Sequence, residues 1–425
     1  MNLLIYSVLW HLGLPLIALR LLYRARKQPE YLQHLGERFG AAPRRAQAPR
    51  IWLHAVSVGE TRAAQPVVRA LLAAFPQHEI LLTHMTPTGR ATSEELFGQE
   101  PRVLRAYLPY DFPWAQRRFL ARSQPQLGIV METEVWPNLM AAAARAGVPM
   151  LLANARLSAR SARGYARLGN LARQSFGSFA RVLAQTQDDA TRLAACGART
   201  VEVCGNVKFD VTLPPAQLAL GVQFRHAAGA RPVILAASTR EGEEAPLLAA
   251  FARHAPADAL LVLVPRHPQR FDEVATLVEK QGLRLQRRSA GPQIDTSTRV
   301  WLGDSMGEMV AYYRMADVAI IGGSWQPLGG QNLIEACAAG CPVLIGPHTF
   351  NFTEAAEKAI SAGAARRCAD LDQALALGTQ LLTDAEARQA MRQAGTTFAQ
   401  ANQGATERIL CHVVALMAKR GMAPS

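Results

Sequence analysis

The stretch Ala316-Asp317-Val318-Ala319-Ile320-Ile321-Gly322-Gly323-Ser324-Trp325-Gln326-Pro327-Leu328-Gly329-Gly330-Gln331-Asn332-Leu333-Ile334-Glu335 reads as a buried strand, a glycine-rich turn and the start of a short helix closed by Gly340. Strand, glycine turn and helix together are how an α/β protein presents backbone N–H groups and a positive helix end to a phosphate. Gly329 and Gly330 stand in that turn. Asn332 and Glu335 are three apart and share one helix face, where a carboxylate could accept hydrogen bonds from ribose hydroxyls. The purely structural alternative is a bend with a glutamate near a helix N-terminus. Nucleotide binding is the stronger of the two readings.

Outward from this stretch the same grammar repeats. In the second half, apolar runs at 232–237, 259–264, 299–302, 318–321 and 342–345 read as strands. The first half has them at 51–56, 79–85, 127–131, 149–153, 182–184 and 201–204. Amphipathic segments of helical length, such as 61–74 and 139–146, lie between them. Alternation of this kind predicts an α/β fold with parallel sheets covered on both faces. Leu213-Pro214-Pro215 marks a linker, so the expected organisation is 1–28, 29–212, a linker at 213–231, and 232–425. The helical tail is expected to return towards the first domain. Neither half carries G-x-G-x-x-G after its first strand, which argues against a dinucleotide-dependent dehydrogenase. Two Rossmann-like halves facing a cleft, with one nucleotide loop late in the second half, is the grammar of a GT-B glycosyltransferase.

Composition narrows the partners. The 425 residues are 49% hydrophobic, ample for two domain cores. A net charge of +13 points to an anionic partner. Nucleic acid is disfavoured, because no zinc-finger, RRM or helix-turn-helix signature appears and only 7% of residues are aromatic. The six cysteines are scattered and no His or Cys pair completes a zinc set, so no metal site is expected and a reducing compartment fits. Residues 3–22 are almost wholly apolar, broken by His11, Pro15 and Arg20, and run into Arg24-Ala25-Arg26-Lys27. The charge follows the apolar run instead of preceding it, which reads as an N-terminal membrane-anchor helix with a cytoplasmic basic flank. A buried first helix is the alternative. Arg156, Arg160, Arg163, Arg167 and Arg173 recur at helical spacing, which suits either a solvated face or a surface meeting anionic lipid.

Several segments beyond strand ends carry candidate chemistry. His54-Ala55-Val56-Ser57-Val58-Gly59-Glu60 runs from a strand into a helix start. Glu60 is either a base for an attacking hydroxyl or a carboxylate complementing the helix dipole. Met131-Glu132-Thr133-Glu134-Val135-Trp136-Pro137-Asn138 puts two carboxylates beyond another strand. If the strand continues, both point one way; a structural ion pair is the alternative. Gly205-Asn206-Val207-Lys208-Phe209-Asp210 offers Lys208 as a point charge, or as an ordinary surface lysine. Pro265-Arg266-His267-Pro268-Gln269-Arg270-Phe271 offers Arg266 and His267 as a clamp for a leaving phosphate. In Gly303-Asp304-Ser305-Met306-Gly307-Glu308 the backbone could approach a base or phosphate closely. The last two segments read equally as polar loops capping helices.

Taken together and in order, HAVSVGE, METEVWPN, GNVKFD, PRHPQRF, GDSMGE and GGSWQPLGGQNLIE resemble the 3-deoxy-D-manno-octulosonic acid (Kdo) transferases of lipopolysaccharide synthesis. The resemblance spans nearly the whole chain, and no motif position departs from it. It implies a GT-B fold and transfer of Kdo from CMP-Kdo to the lipid A precursor (lipid IVA), without a cofactor, at the cytoplasmic face of the inner membrane. It implies Glu60 as general base, with Glu132 and Lys208 stabilising the transition state and Glu134 a weaker candidate. CMP contacts would fall on Arg266 and His267, on Met306, Gly307 and Glu308, and on Asn332, Leu333, Ile334 and Glu335. A single displacement should invert the anomeric centre. Two rivals stay open. One is an enzyme of the same fold using a UDP-sugar, or a sugar-nucleotide epimerase. The other is a non-catalytic nucleotide-binding membrane protein, which needs the glycine loop but not Glu60, Glu132 or Lys208.

Overall fold

The computed structural model describes residues 1–44, 48–419 and 421. Residues 45–47, inside the basic stretch before the first strand, lie outside the described residues. So do 420 and 422–425, which end the expected 232–425 domain. The chain forms two compact units, Met1–Asp210 with Gln403–Ser425, and Val211–Asn402.

The first unit is built on β1 (Arg50–His54), β2 (Glu79–His84), β3 (Val103–Tyr107), β4 (Leu127–Met131), β5 (Met150–Ala155), β6 (Arg181–Ala184) and β7 (Val201–Val203). They form one sheet in the order β3-β2-β1-β4-β5-β6-β7, with every pairing parallel. All residues of β1 and β4 are buried, which is why those runs are apolar without alternation. Trp52, Phe119, Leu139 and Phe176 pack on one face. Leu53, Val67, Leu71, Ile409 and Val413 pack on the other. Helix Ala405–Ala418 thus closes the first unit with a stripe at 405, 409, 413 and 417. Its N-terminus is tied down by Asp210, whose carboxylate accepts from the backbone N–H groups of Gly404, Ala405 and Thr406 at 2.5–3.2 Å. These are orphan donors of a helix start, and a carboxylate suits that end.

The second unit has β8 (Val233–Thr239), β9 (Leu260–Pro265), β10 (Leu285–Arg287), β11 (Val300–Leu302), β12 (Val318–Ile321), β13 (Val343–Ile345) and β14 (Ala365–Arg367). The sheet order is β10-β11-β9-β8-β12-β13-β14, again parallel throughout. Two parallel sheets in an α/β fold are therefore present as expected. In each sheet the early strands fill one side of the first strand and the later ones the other, with β11 inserting between β9 and the edge strand β10. The strand order reverses between β1 and β4, and between β8 and β12. Loops leaving such neighbours in opposite directions open a crevice at the carboxyl ends of the strands.

Two expectations change. The expected linker at 213–231 is largely helical: 215–228 form helix Pro215–Ala228, with Phe224 buried against Trp301 and Tyr312. Proline at the first helical position has no orphan N–H to lose and starts the helix. The single anchor helix expected within 1–28 is a pair, Leu3–Leu12 and Leu14–Lys27, bent by 51°. Gly13 and Pro15 sit at the break, where proline cannot continue the ladder of the preceding turn. No single helix among the described residues is long and apolar enough to cross a membrane; the bent pair together meets that length and composition. Leu4, Leu12 and Leu16 are each more than 70% exposed.

Asp210→Ala removes the acceptor for three helix-start amides. We expect a loss of about 2 kcal/mol in chemical denaturation, typical of a lost charged cap, with faster amide exchange at 404–406.

Candidate active site

Glu60 lies in the first turn of helix Val58–Ala74, directly beyond β1. Its Oε2 accepts from the Val56 N–H at 2.7 Å, and Ser57 Oγ donates to Oε1 at 3.4 Å. The turn beneath it is pinned by buried histidines. His84 Nδ1 lies 2.9 Å from the Ala55 carbonyl, and His54 Nδ1 lies 2.9 Å from Thr83 Oγ1. Burial pushes the Glu60 carboxyl up to about 7, opposed by the Val56 N–H and reinforced by the negative charges of Glu132 and Glu134. A carboxylate that only complemented a helix dipole in water would sit below its ordinary value. At Glu60 burial outweighs any stabilisation of the charged form by the helix end.

Glu132 is the first residue past β4, across the β1/β4 reversal from Glu60. The strand does not continue through it, so the condition under which both carboxylates would point one way is not met. Glu132 has φ +58°, a left-handed conformation that costs a non-glycine residue of the order of 1 kcal/mol, and the chain turns there. Glu132 and Glu134 therefore share a rim with Glu60 through a turn, not through strand alternation. Burial also raises the Glu134 carboxyl, with Glu132 adding to the rise.

Lys208 follows β7, the edge strand, yet its loop returns across neighbouring strand ends. Val207 N donates to Asn154 Oδ1 at 3.1 Å, Asn206 Nδ2 to Gln185 Oε1 at 3.0 Å, and Lys208 N to Asn206 Oδ1 at 3.0 Å. The turn Val207–Phe209 thereby reaches the helix that carries Glu60. Asn154 and Gln185, both buried, escaped the sequence reading. Each stands at a strand end, but an amide inside an apolar run gives no signal of its partner.

In the second unit the candidate segments leave four adjacent strands. In sheet order, Gly303–Glu308 follows β11, Arg266 and His267 follow β9, Thr239–Glu243 follows β8, and Gly322–Glu335 follows β12. Arg266 N donates to the Thr239 carbonyl at 2.9 Å. Arg240, absent from the sequence-based set, joins this rim. His267 is exposed next to Arg266, and slight burial with the charges of Arg240, Arg266 and Arg270 holds its imidazole below the usual range. Arg270 turns away to Glu244 at 2.6 Å and to Glu273 at 3.0 Å. Glu308 is held by Arg288 at 3.0 Å and 3.1 Å and by Ser305 Oγ. Its carboxylate is thus engaged internally, while Met306 and Gly307 are exposed.

The glycine stretch is organised differently from the expectation. Its helix is only Ile334–Ala338. Asn332 precedes the helix and does not share a face with Glu335; its Nδ2 reaches Glu335 Oε1 at 3.0 Å, and its Oδ1 accepts from Ile334 N at 3.0 Å. Burial raises the Glu335 carboxyl, and the nearby Arg266 opposes the rise. The first N–H groups of the loop are not bare. Glu243, fully buried, accepts from Gly323 N at 2.8 Å, Trp325 N at 3.2 Å and Arg240 N at 2.9 Å. Gly330 N donates to the Gly323 carbonyl at 2.7 Å. A side chain at Gly322 would collide with the Ser238 carbonyl, so only glycine lets the β8 and β12 loops approach this closely. Glu243 was legible in principle, as a carboxylate leaving an apolar strand.

The 3-Deoxy-D-manno-octulosonic-acid transferase (kdotransferase) profile matches residues 33–211, and the profile of glycosyl transferases group 1 matches 278–398. A 3-deoxy-D-manno-octulosonic acid transferase of Bordetella pertussis is 52% identical over 93% of this chain and 95% of its own. The chain belongs to the 3-deoxy-D-manno-octulosonic acid transferase family. It is thus a member of a glycosyltransferase family. Two solved structures share the fold alone. A glycosyltransferase from Rickettsia africae has a TM-score of 0.57 at 12% identity, covering 88% of this chain and 99% of its own. A UDP-GlcNAc 2-epimerase from Neisseria meningitidis has the same TM-score at 15% identity, covering 86% and 100%. Fold does not separate transfer from epimerisation; family membership does.

Glu243→Ala should leave three amides of the β8 and β12 loops without their acceptor. The expected cost is about 3 kcal/mol of stability in the second unit, at about 1–3 kcal/mol per unsatisfied donor with partial rescue by water. Chemical denaturation followed by Trp325 fluorescence checks it, and Glu243→Gln should recover part of the loss.

Proposed function

We propose that this family member is a GT-B glycosyltransferase that moves Kdo from CMP-Kdo to the lipid A precursor lipid IVA, with inversion, in lipopolysaccharide synthesis. The acceptor hydroxyl loses its proton to Glu60 as its oxygen bonds to the anomeric carbon. The bond from that carbon to the CMP phosphate oxygen breaks, and the phosphate leaves as an anion met by Arg240, Arg266 and a His267 N–H. Kdo carries a carboxylate on the reacting carbon, which Lys208 balances while positive charge develops on the ring. Glu132 favours that developing charge. Backbone at Met306 and Gly307, with Asn332, Leu333, Ile334 and Glu335, takes the remainder of the nucleotide, with Gly329 and Gly330 shaping the loop. The exposed apolar faces of the N-terminal helices are assigned to the cytoplasmic leaflet of the inner membrane. The exposed Arg160, Arg163 and Arg167 of helix Ala159–Leu168 are assigned to its anionic headgroups, at about 1 kcal/mol each.

The observation that carries this reading is the Glu60 carboxyl poised at about 7 beside Glu132 and Glu134, in a chain 52% identical to a Kdo transferase. Incubation with CMP-Kdo and tetraacylated lipid A precursor, read by mass, tests donor, acceptor and sugar count together. Product formed with a UDP-hexose instead, or no product at all, overturns it.

Glu60→Gln should lower kcat by about 10²–10⁴-fold and leave CMP affinity within a factor of two. In the unmodified enzyme the base must be ionised, so kcat should rise with pH and level off above about 7. Stability runs the other way. A carboxyl whose folded pKa is raised binds its proton more tightly folded than unfolded, and that contribution is lost as pH rises from the ordinary carboxylate range through about 7. Relative to wild type, Glu60→Gln should therefore have a higher Tm at pH 8 than at pH 5.

A further inference from the structure

Helix Leu3–Leu12 has an inner side as well as an outer one, and the inner side meets the loop that carries Glu132 and Glu134. Leu3, Tyr6, Ser7, Trp10 and Gly13 form a part-buried stripe at helical spacing, while Leu4, Val8 and Leu12 face outward. The Ser7 hydroxyl, shared with the Leu3 carbonyl, donates to Asn138 Oδ1 at 2.8 Å. The Trp10 ring stands edge-on to Trp136 at 6.0 Å and to Phe112 at 5.6 Å between centroids. Asn138 is held on its other side by buried Asp111, whose carboxylate accepts from Asn138 N and Leu139 N, each at 2.9 Å. The Tyr6 side chain approaches the same carboxylate. Trp136 in turn stands beside the Glu134 carboxyl.

We infer that Trp10 and Ser7 are positioning residues for the reaction. Helix Leu3–Leu12 holds the Glu132–Asn138 loop in its working geometry, in addition to any contact its outer side makes. The loop needs such a brace, since it begins at a left-handed Glu132 and contains no regular element before helix Pro137–Arg145. A strained backbone persists only when its surroundings over-determine it. The two contacts are of different kinds, a hydrogen bond at Asn138 and edge-on rings at Trp136, and they grip adjacent parts of one turn. The effect on rate rests on the transfer proposed above; the effect on loop geometry does not.

The test uses the full chain with detergent-dispersed acceptor. Trp10→Ala should lower kcat by about 10–100-fold, the scale expected of misplacement by about an ångström, with CMP affinity by calorimetry unchanged. Trp10→Phe, which keeps an aromatic edge, should recover most of the loss, and Ser7→Ala should show a smaller one. Independently of any transfer, hydrogen exchange at residues 132–139 should quicken in Trp10→Ala and Ser7→Ala, while residues 322–335 exchange as before. Wild-type kcat together with unaltered exchange in Trp10→Ala overturns the inference. A uniform fall in kcat, CMP affinity and thermal stability that Trp10→Phe does not reverse also overturns it, by making the contact a general packing one. A wild-type chain that transfers no Kdo defeats the proposed function instead, and the exchange result then still decides the inference.

Discussion

Parallel strands end together, and that constraint governs everything the chain can do. Because all pairings in both sheets are parallel, every carboxyl end in a sheet opens onto one rim. Residues far apart in sequence are thereby delivered side by side. Glu60 and Glu132 are separated by 71 intervening residues but leave adjacent strands. In the second unit, four loops scattered between 239 and 335 leave four neighbouring strands. Helical crossovers keep both faces dry, so a polar or charged side chain finds water only at that rim.

Carboxylates, from the buried Glu243 to the half-buried Glu60 and Asp210, do two different jobs in these units. Glu243 and Asp210 are saturated with backbone N–H donors and hold loops or a helix end in place. Glu60 accepts one strong hydrogen bond and otherwise faces other carboxylates, so its charge is under-compensated. What separates these carboxylates is the number of donors around each one, not residue type. Arginine shows the same division, with Arg270 and Arg288 locked to glutamates while Arg240 and Arg266 stand on the rim.

Most of the layout was legible in the sequence because strands buried on both faces are plainly apolar. The strands it left out, β3, β10 and β14, are edge or short strands carrying arginine, where partly exposed polar positions break the apolar run. Pro214-Pro215 was read as a linker because proline ends helices more visibly than it begins them. Gly13 and Pro15 split what hydropathy alone presents as one continuous segment. The candidate site residues stood out where a charge comes soon after an apolar run, as with Glu60, Glu132 and Arg266. Their surroundings did not, because the φ of Glu132, the return of the Lys208 loop and the grip of Glu243 on Gly323 depend on partners distant in sequence. The same limit hid the inner stripe of the first helix, whose outer leucines dominate any reading by composition.

The chain order of the two units has a consequence for synthesis. The second unit is one unbroken stretch, Val211–Asn402, whereas the first is completed only by Gln403–Ser425. On the ribosome, the apolar side of helix Val58–Ala74 must wait for Ile409 and Val413, which emerge last. Until then Val67 and Leu71 lack a cover, and the nascent first unit carries an open hydrophobic seam while the second is already free to fold. Loss of helix Ala405–Ala418 would therefore leave the half translated first unsealed.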